Sequence, residues 1–237
     1  MVQDLFIGTA GWSVERAIPG FQQEGSALAR YASRFNAVEV NSSFHRRHRQ
    51  STWQRWHDTV PSEFKFSVKL PKTITHERQL TDADADLDLF FYDIRGLNDK
   101  LAAVLVQLPP KLAFQKESAG AFFAAFRARS LVPIFIEPRH PSWAAAGASE
   151  LLQDFAVKWV YADPQQADLQ AAAISDGAAY LRLHGSPKIY YSAYVAEKLH
   201  NFADLLKAGA GHRWCIFDNT ASGAALKDAL SLLDLFV

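Results

Sequence analysis

Ile134-Phe135-Ile136-Glu137-Pro138-Arg139-His140-Pro141-Ser142-Trp143 is an apolar, β-branched and aromatic run that breaks off into charge. Its opening residues read as a buried strand, and its end supplies Glu137, Arg139, His140 and Trp143. The same shape, an apolar run closing on a charged or amide side chain, recurs along the chain. The runs are Leu5 to Thr9, Ala37 to Asn41, Phe64 to Lys69, Leu101 to Gln107, Pro133 to Glu137, Val157 to Asp163, Ala178 to His184 and Arg213 to Asp218.

Helical periodicity fills most gaps between the runs. Leu28, Tyr31, Ala32 and Phe35 share a face, Phe122, Phe123 and Phe126 form a stripe, and Leu226, Ala229, Leu230 and Leu233 form another. Ser51 with Gln54 has the spacing of a capping box. Asp82, Asp84, Asp86 and Asp88 fit a solvated acidic first turn. Only the helix between the sixth and seventh runs is poorly marked, with material for a turn or two. Strands alternating with helices imply parallel pairing through right-handed crossovers, and eight such units fit a closed (β/α)₈ TIM barrel. The alternative is an open doubly wound parallel sheet. Residues 1–237 read as a single domain.

Side chains alternate across a strand, so the parity of polar residues says which face they share. Val38 and Val40 oppose Glu39 and Asn41; Leu181 and Leu183 oppose Arg182 and His184; Ile134 and Ile136 oppose Phe135, Glu137 and Arg139. Val104 and Val106 oppose Leu105 and Gln107, while Phe64, Phe66 and Val68 oppose Lys65, Ser67 and Lys69. Helices outside a barrel need apolar partners, which turns the mixed faces toward the axis. The polar groups gather at the C-terminal ends of the runs, where TIM barrels carry their active sites. The expected ring holds Glu39, Lys69, Glu137, Arg139, Asp163, Arg182, His184 and Asp218. Unpaired buried charges cost several kcal/mol each, so such a ring must be mutually paired, wet, or both.

Composition narrows the partners. Hydrophobic residues make up 49% of 237, and Lys plus Arg equals Asp plus Glu at 25 each, so the chain can bury a full core and carries no global field toward nucleic acid, membrane or acidic partners. Cys215 is the single cysteine, which excludes an intrachain disulfide and a cysteine zinc site. No apolar run approaches the ~18 residues of a membrane span, and the N-terminus enters a strand without signal-peptide character. A cytoplasmic location with no membrane partner is the expectation, and the oligomeric state is open.

Seven motifs in order carry a family resemblance. They are Ile7-Gly8-Thr9-Ala10-Gly11-Trp12-Ser13, Val38-Glu39-Val40-Asn41-Ser42-Ser43-Phe44, Phe66-Ser67-Val68-Lys69 with Ile74-Thr75-His76, Gln107-Leu108-Pro109-Pro110, Glu137-Pro138-Arg139-His140-Pro141-Ser142-Trp143, Arg182-Leu183-His184-Gly185 and Phe217-Asp218-Asn219-Thr220. On these the chain resembles the YecE-like family, domain of unknown function 72, nearly end to end. The resemblance implies a TIM barrel of the xylose-isomerase-like and endonuclease-IV-like kind and supplies no reaction. His45 stands where the family pattern usually has Tyr, and Asp218 where it often has Asn. The segment Val14 to Gly25 is shorter than the common loop, so that part of a substrate wall should differ.

Glu39, Glu137, His184, Lys69 and Asp218 are the candidate catalytic residues, with the two glutamates as general base or acid. Asn41, His76, Gln107, Arg139, His140, Trp143, Asp163, Arg182, Asn219 and Trp12 are the candidate substrate-binding residues, Lys69, Arg139 and Arg182 holding an anionic group. The leading expectation is an enzyme using acid/base or hydrolytic chemistry on a phosphate- or carboxylate-bearing substrate, nucleic-acid-derived ones included. Replacing Glu137 by Gln should then lower turnover and leave the melting temperature nearly unchanged. No cofactor is expected. A divalent metal on Glu39, Glu137, Asp163, His184 and Asp218 is the weaker alternative, because three basic residues at that level already neutralise the carboxylates. The rival function is a nucleic-acid or nucleotide binding module without turnover, built on Arg46, Arg47, His48 and Arg49 with Trp12 or Trp143 as stacking surfaces.

Overall fold

A computed structural model describes residues 4–14 and 18–236. Residues 15–17 of the shortened Val14 to Gly25 segment lie outside that description. Strands β1 (Leu5–Thr9), β2 (Ala37–Val40), β3 (Lys65–Lys69), β4 (Leu101–Gln107), β5 (Ile134–Glu137), β6 (Val157–Asp163), β7 (Tyr180–Leu183) and β8 (Arg213–Phe217) pair in parallel, in the order β1-β8-β7-β6-β5-β4-β3-β2. Helices α1 (Ala27–Ala32), α2 (Gln50–Thr59), α3 (Asp84–Ile94), α4 (Lys116–Arg127), α5 (Ala146–Asp154), α6 (Ala167–Ser175), α7 (Ala196–Ala208) and α8 (Ala224–Leu233) follow the strands in turn. The fold is a TIM barrel, and the open-sheet alternative falls because β1 and β2 meet at an Ala10–Glu39 bridge.

Alternation does the sorting. Val38, Val40, Val104, Val106, Ile134, Ile136, Leu181 and Leu183 pack in the layer under the helices. Phe6, Ala37, Leu105, Phe135, Val160, Tyr180, Trp214 and Ile216 form a separate cluster inside the cylinder. A slip of one residue in β2 would carry Val38 and Val40 to the axis and drive Glu39 beneath α1 and α2, which fixes the register. Aromatic rings plug the interior: Phe6 lies 4.7 Å from Trp214, and Phe135 lies 4.9 Å from Tyr180.

Local elements follow sequence with two differences. Helix α4 buries the expected Phe122, Phe123 and Phe126, and its last-turn Arg127 donates to the carbonyls of Val132, Phe155 and Ala156. Helix α3 opens on Asp84 and Asp86, and Arg129 reaches Asp84 at 2.8 Å and Asp88 at 2.7 Å. The Ser51–Gln54 capping box does not form, because α2 already starts at Gln50 with Arg49 as an N-cap that makes no side-chain bond. The poorly marked helix is α6, nine residues long, whose packing of Leu169 and Ala173 substitutes for weak amphipathicity.

The seam between β1 and β2 is stitched by side chains. Asn36 accepts from Ile7 N at 3.1 Å and donates to Leu5 O at 2.7 Å, standing in for a neighbouring strand. The Tyr31 hydroxyl, on α1, accepts from Thr9 N at 2.8 Å and donates to Ala37 O at 3.0 Å. Gly8 lets the strands close in there, since a Cβ at that position would lie 2.1 Å from Ala37 O. Burial pushes the Tyr31 phenol pKa up, so it stays a donor at any working pH. Tyr31→Phe leaves Thr9 N and Ala37 O buried without partners and is expected to cost about 2 kcal/mol. A urea unfolding curve checks this by a lower midpoint at unchanged slope.

Candidate functional site

Arg182, projecting inward from β7, is the hub of the mouth and only 2% exposed. Its Nε and Nη2 clasp Glu39 on β2 at 2.8–3.1 Å, its Nη1 reaches Glu137 on β5 at 3.2 Å, and its Nη2 reaches Asp218 after β8 at 3.0 Å. Burial alone would drive the proton off, but Asp218, Glu39 and Glu137 outweigh it and push the guanidinium pKa well above its ordinary value. Below this plane the Tyr180 hydroxyl lies 2.9 Å from Glu39 Oε2 and 3.0 Å from Ser67 Oγ. Tyr180 and Ser67 were not singled out as site residues, although their parity with Arg182 and Lys69 places them on the same face.

The second guanidinium, Arg139, closes on Glu137 Oε1 and lies 2.7 Å from His184 Nε2. His184 Nδ1 is 3.0 Å from Asp218, and its Nε2 is 3.1 Å from Glu137. A neutral ring protonated on Nδ1 serves Asp218 and accepts from Arg139; a second proton, on Nε2, would face Glu137 and expel Arg139. Burial opposes ionisation of Glu137, but the charges of Arg139 and Arg182 hold its carboxyl well below the usual range. Asp218 is lowered in the same way, burial being overcome by Arg182 and His184. These carboxylates are fixed ionised counterions, which makes Glu137 a poor general acid.

Lys69, at the end of β3, differs from the rest. It is 7% exposed, and among the described residues no carboxylate or carbonyl accepts a hydrogen bond from its Nζ, which sits 4.1 Å above the Phe44 ring. Burial first, then repulsion from Arg182, lowers its pKa to about 8 against the pull of Glu39, Glu137 and Asp218.

The remaining candidates divide. Asn41 follows β2 at the rim with its Oδ1 buried and unpartnered among the described residues. Half-buried His76 packs edge-on at 4.9 Å against the same Phe44 ring that Lys69 covers. Gln107 donates to Leu108 O at the rim. Asp163, Trp143, His140 and Asn219 are not brought to the mouth. Asp163 turns outward on β6, where it meets Lys198 at 3.0 Å and the Tyr194 hydroxyl at 3.1 Å, because it shares parity with Trp159 and Tyr161. Trp143 is buried with its Nε1 donating to Leu112 O, and His140 is spent on Ser142 in the turn after β5. Asn219 is buried, its amide donating to Ser192 O and Asp228, so it ties two loops together. Trp12 lies edge-on to Trp56 at 4.9 Å. In the basic run, Arg47 is spent on Asp93 and His48 bonds Ser42, which leaves Arg46 and Arg49 exposed.

A divalent metal fits this ring poorly. The carboxylates already face Arg182 and Arg139, Asp163 is on the wrong side, and among the described residues no three His, Cys, Asp or Glu side chains are grouped to hold an ion.

The expectation that Glu137→Gln leaves stability untouched is revised, since Glu137 is fully buried between two guanidiniums. That variant is expected to cost about 3 kcal/mol at neutral pH, and Arg182→Met about 3–5 kcal/mol. With folded-state pKa values depressed, Glu137 and Asp218 stabilise the fold fully above about pH 4.5 and lose that contribution as pH falls further. Chemical unfolding at stepped pH should show this acid loss, and a shallower one in Glu137→Gln.

A family model described as "Protein of unknown function DUF72" matches residues 6–237. The YunF protein of Bacillus subtilis (strain 168) is 26% identical over 200 residues, covering 78% of this chain and 71% of that protein. YecE of Escherichia coli (strain K12) is 28% identical over 150 residues, covering 62% of this chain and 52%, about half, of that protein. The crystal structure of a DUF72 protein from Enterococcus faecalis superimposes with TM-score 0.80 at 20% identity, covering 98% and 94% of the two chains. A Thermotoga maritima member gives 0.76 at 20% identity over 98% of each. SacUVDE shares the fold more distantly, at TM-score 0.52 and 8% identity over 85% of this chain and 80% of that one. With the model spanning nearly the whole barrel, this chain belongs to the DUF72 family.

Proposed function

We propose that the C-terminal mouth is the active site of an enzyme that binds a phosphate- or carboxylate-bearing substrate and moves protons through Lys69. The observation that carries this reading is Lys69 itself, a nearly buried ammonium without a described protein acceptor, in a ring where the other charges are paired. An anion entering beside it would supply the missing counter-charge, with Arg139, the more exposed guanidinium, as second holder. Catalytic proton transfer is most effective when the group's pKa lies near working pH, which fits Lys69 at about 8 better than the depressed Glu137 and Asp218. No cofactor enters this reading.

A nucleic-acid strand is the second reading, favoured by exposed Arg46 and Arg49 beside the mouth. It loses its stacking surfaces with Trp143 buried and Trp12 packed on Trp56. A mild salt dependence of single-strand binding, unchanged in Arg46→Ala/Arg49→Ala, would remove it.

Lys69→Met tests the leading reading. Its lowered pKa means the charged lysine weakens the fold below about pH 8, so Met is expected to stabilise the protein by up to about 3 kcal/mol at pH 7. That gain should shrink as pH rises from about 8 toward the ordinary lysine value of about 10.5. Calorimetric titration with inorganic phosphate should show binding that weakens through pH 8 and is lost in the variant. Unaltered phosphate binding by Lys69→Met would sink the reading.

A further inference from the structure

Two buried or half-buried lysines show what this chain does with an ammonium it uses structurally. Lys100 donates to His57 O at 2.6 Å and to Val60 O at 2.7 Å, and Lys198 grips Asp163 at 3.0 Å. Lys69 has no such described acceptor, although Glu39, Glu137 and Asp218 all act on it through space. Arg182 sits between Lys69 and those carboxylates in the charge balance, satisfying them and adding a like charge to the lysine's surroundings.

The backbone of Lys69 is held still. It belongs to β3, its carbonyl accepts from Ser43 Oγ at 2.7 Å, and the following Leu70 N donates to Leu105 O. One side of its amine is the apolar face of Phe44, and the edge of the same ring carries His76. A backbone fixed in the sheet, an apolar wall and an amine without an acceptor among the described residues suit attack on carbon better than a salt bridge.

Resting on the reading of the mouth as an anion site, we propose that Lys69 is the nucleophile of a covalent step, condensing with the aldehyde or ketone carbonyl of a carboxylate- or phosphate-bearing substrate. The Nζ lone pair attacks the carbonyl carbon, the C–N bond forms and the carbonyl π pair moves to oxygen, which takes up a proton. The nitrogen gives up a proton, the hydroxyl leaves as water, and a protonated C=N bond remains. His76 is the carrier for these protons: it shares the Phe44 ring with Lys69, and burial and then the charges of Lys69 and Lys111 lower its pKa, so it is neutral and able to accept at working pH. Arg139 holds the substrate's anionic group. The iminium then draws electrons from the adjacent carbon, which is what deprotonation, decarboxylation or carbon–carbon cleavage next to a carbonyl requires. The amine must be neutral to attack; with a pKa of about 8 it is so in about a tenth of molecules at pH 7, against about one in three thousand for an ordinary lysine.

The experiment is reductive trapping on the intact protein. The full chain is treated at pH 7.5 with cyanoborohydride and either glyoxylate, an anionic aldehyde, or acetaldehyde, a neutral one, and the modified lysines are located by peptide mass mapping. Lys69 is expected to react at least about tenfold faster than exposed Lys72 and Lys188 with glyoxylate, and inorganic phosphate should slow that reaction. Lys69→Arg should keep phosphate binding and lose the fast adduct. Lys69 trapped no faster than Lys72 and Lys188 by either aldehyde overturns the covalent role, even where phosphate still binds. Fast trapping by acetaldehyde without preference for glyoxylate or protection by phosphate keeps the nucleophile and overturns the anion site instead.

Discussion

One guanidinium inside a cylinder governs this molecule. Arg182 sits where three strands aim carboxylates at the axis, and its bonds to Glu39, Glu137 and Asp218 turn what would be mutual repulsion into a closed set. The geometry demands arginine: a planar fork can address three partners in different directions, which a point-like ammonium cannot. The cation that such a cluster of carboxylates calls for is supplied by the chain itself, on a strand, at a fixed height above the aromatic plug of Phe135, Tyr180 and Trp214. His184 then takes its orientation from Asp218, and Arg139 from Glu137.

The ring depends in turn on closure of the barrel. Glu39 stands on β2, whose link to β1 is one backbone bridge reinforced by Asn36 and the Tyr31 hydroxyl. Those two side chains satisfy backbone groups that an ordinary strand pair would satisfy with its own ladder, and Gly8 gives them the space to do so. Loosening this seam would move Glu39 away from Arg182, so the polar mouth and the least regular part of the sheet are mechanically one problem.

Lys69 is what remains when the ring's charges have been assigned. Its environment costs stability and shifts its proton toward neutrality, and nothing described in the fold rewards that cost. Strain of this kind collects where function requires it.

The strand runs and their parity were open to reading in one dimension, because alternation is a property of the backbone and needs no knowledge of neighbours. From it came the eight strands, the inward turn of Glu39, Glu137, Arg182 and His184, and the charged character of the mouth. The assignment of Asp163 and Trp143 to the mouth came from their position along the chain, not from alternation. Both lie close to the end of a run, but the parity of β6 sends Asp163 to Lys198, a residue on a distant helix with no sequence signal, and the turn after β5 folds Trp143 inward onto Leu112 and Phe114. The family resemblance could be read from short motifs in order, and it carried the fold without a reaction. Which charges cancel and which one is left over was settled only by packing in three dimensions, since pairing depends on distances between strands that are far apart along the chain. Residue types and alternation thus determined that a charged mouth exists, while tertiary structure decided that Arg182 is its centre and that Lys69 is the member with no acceptor among the described residues.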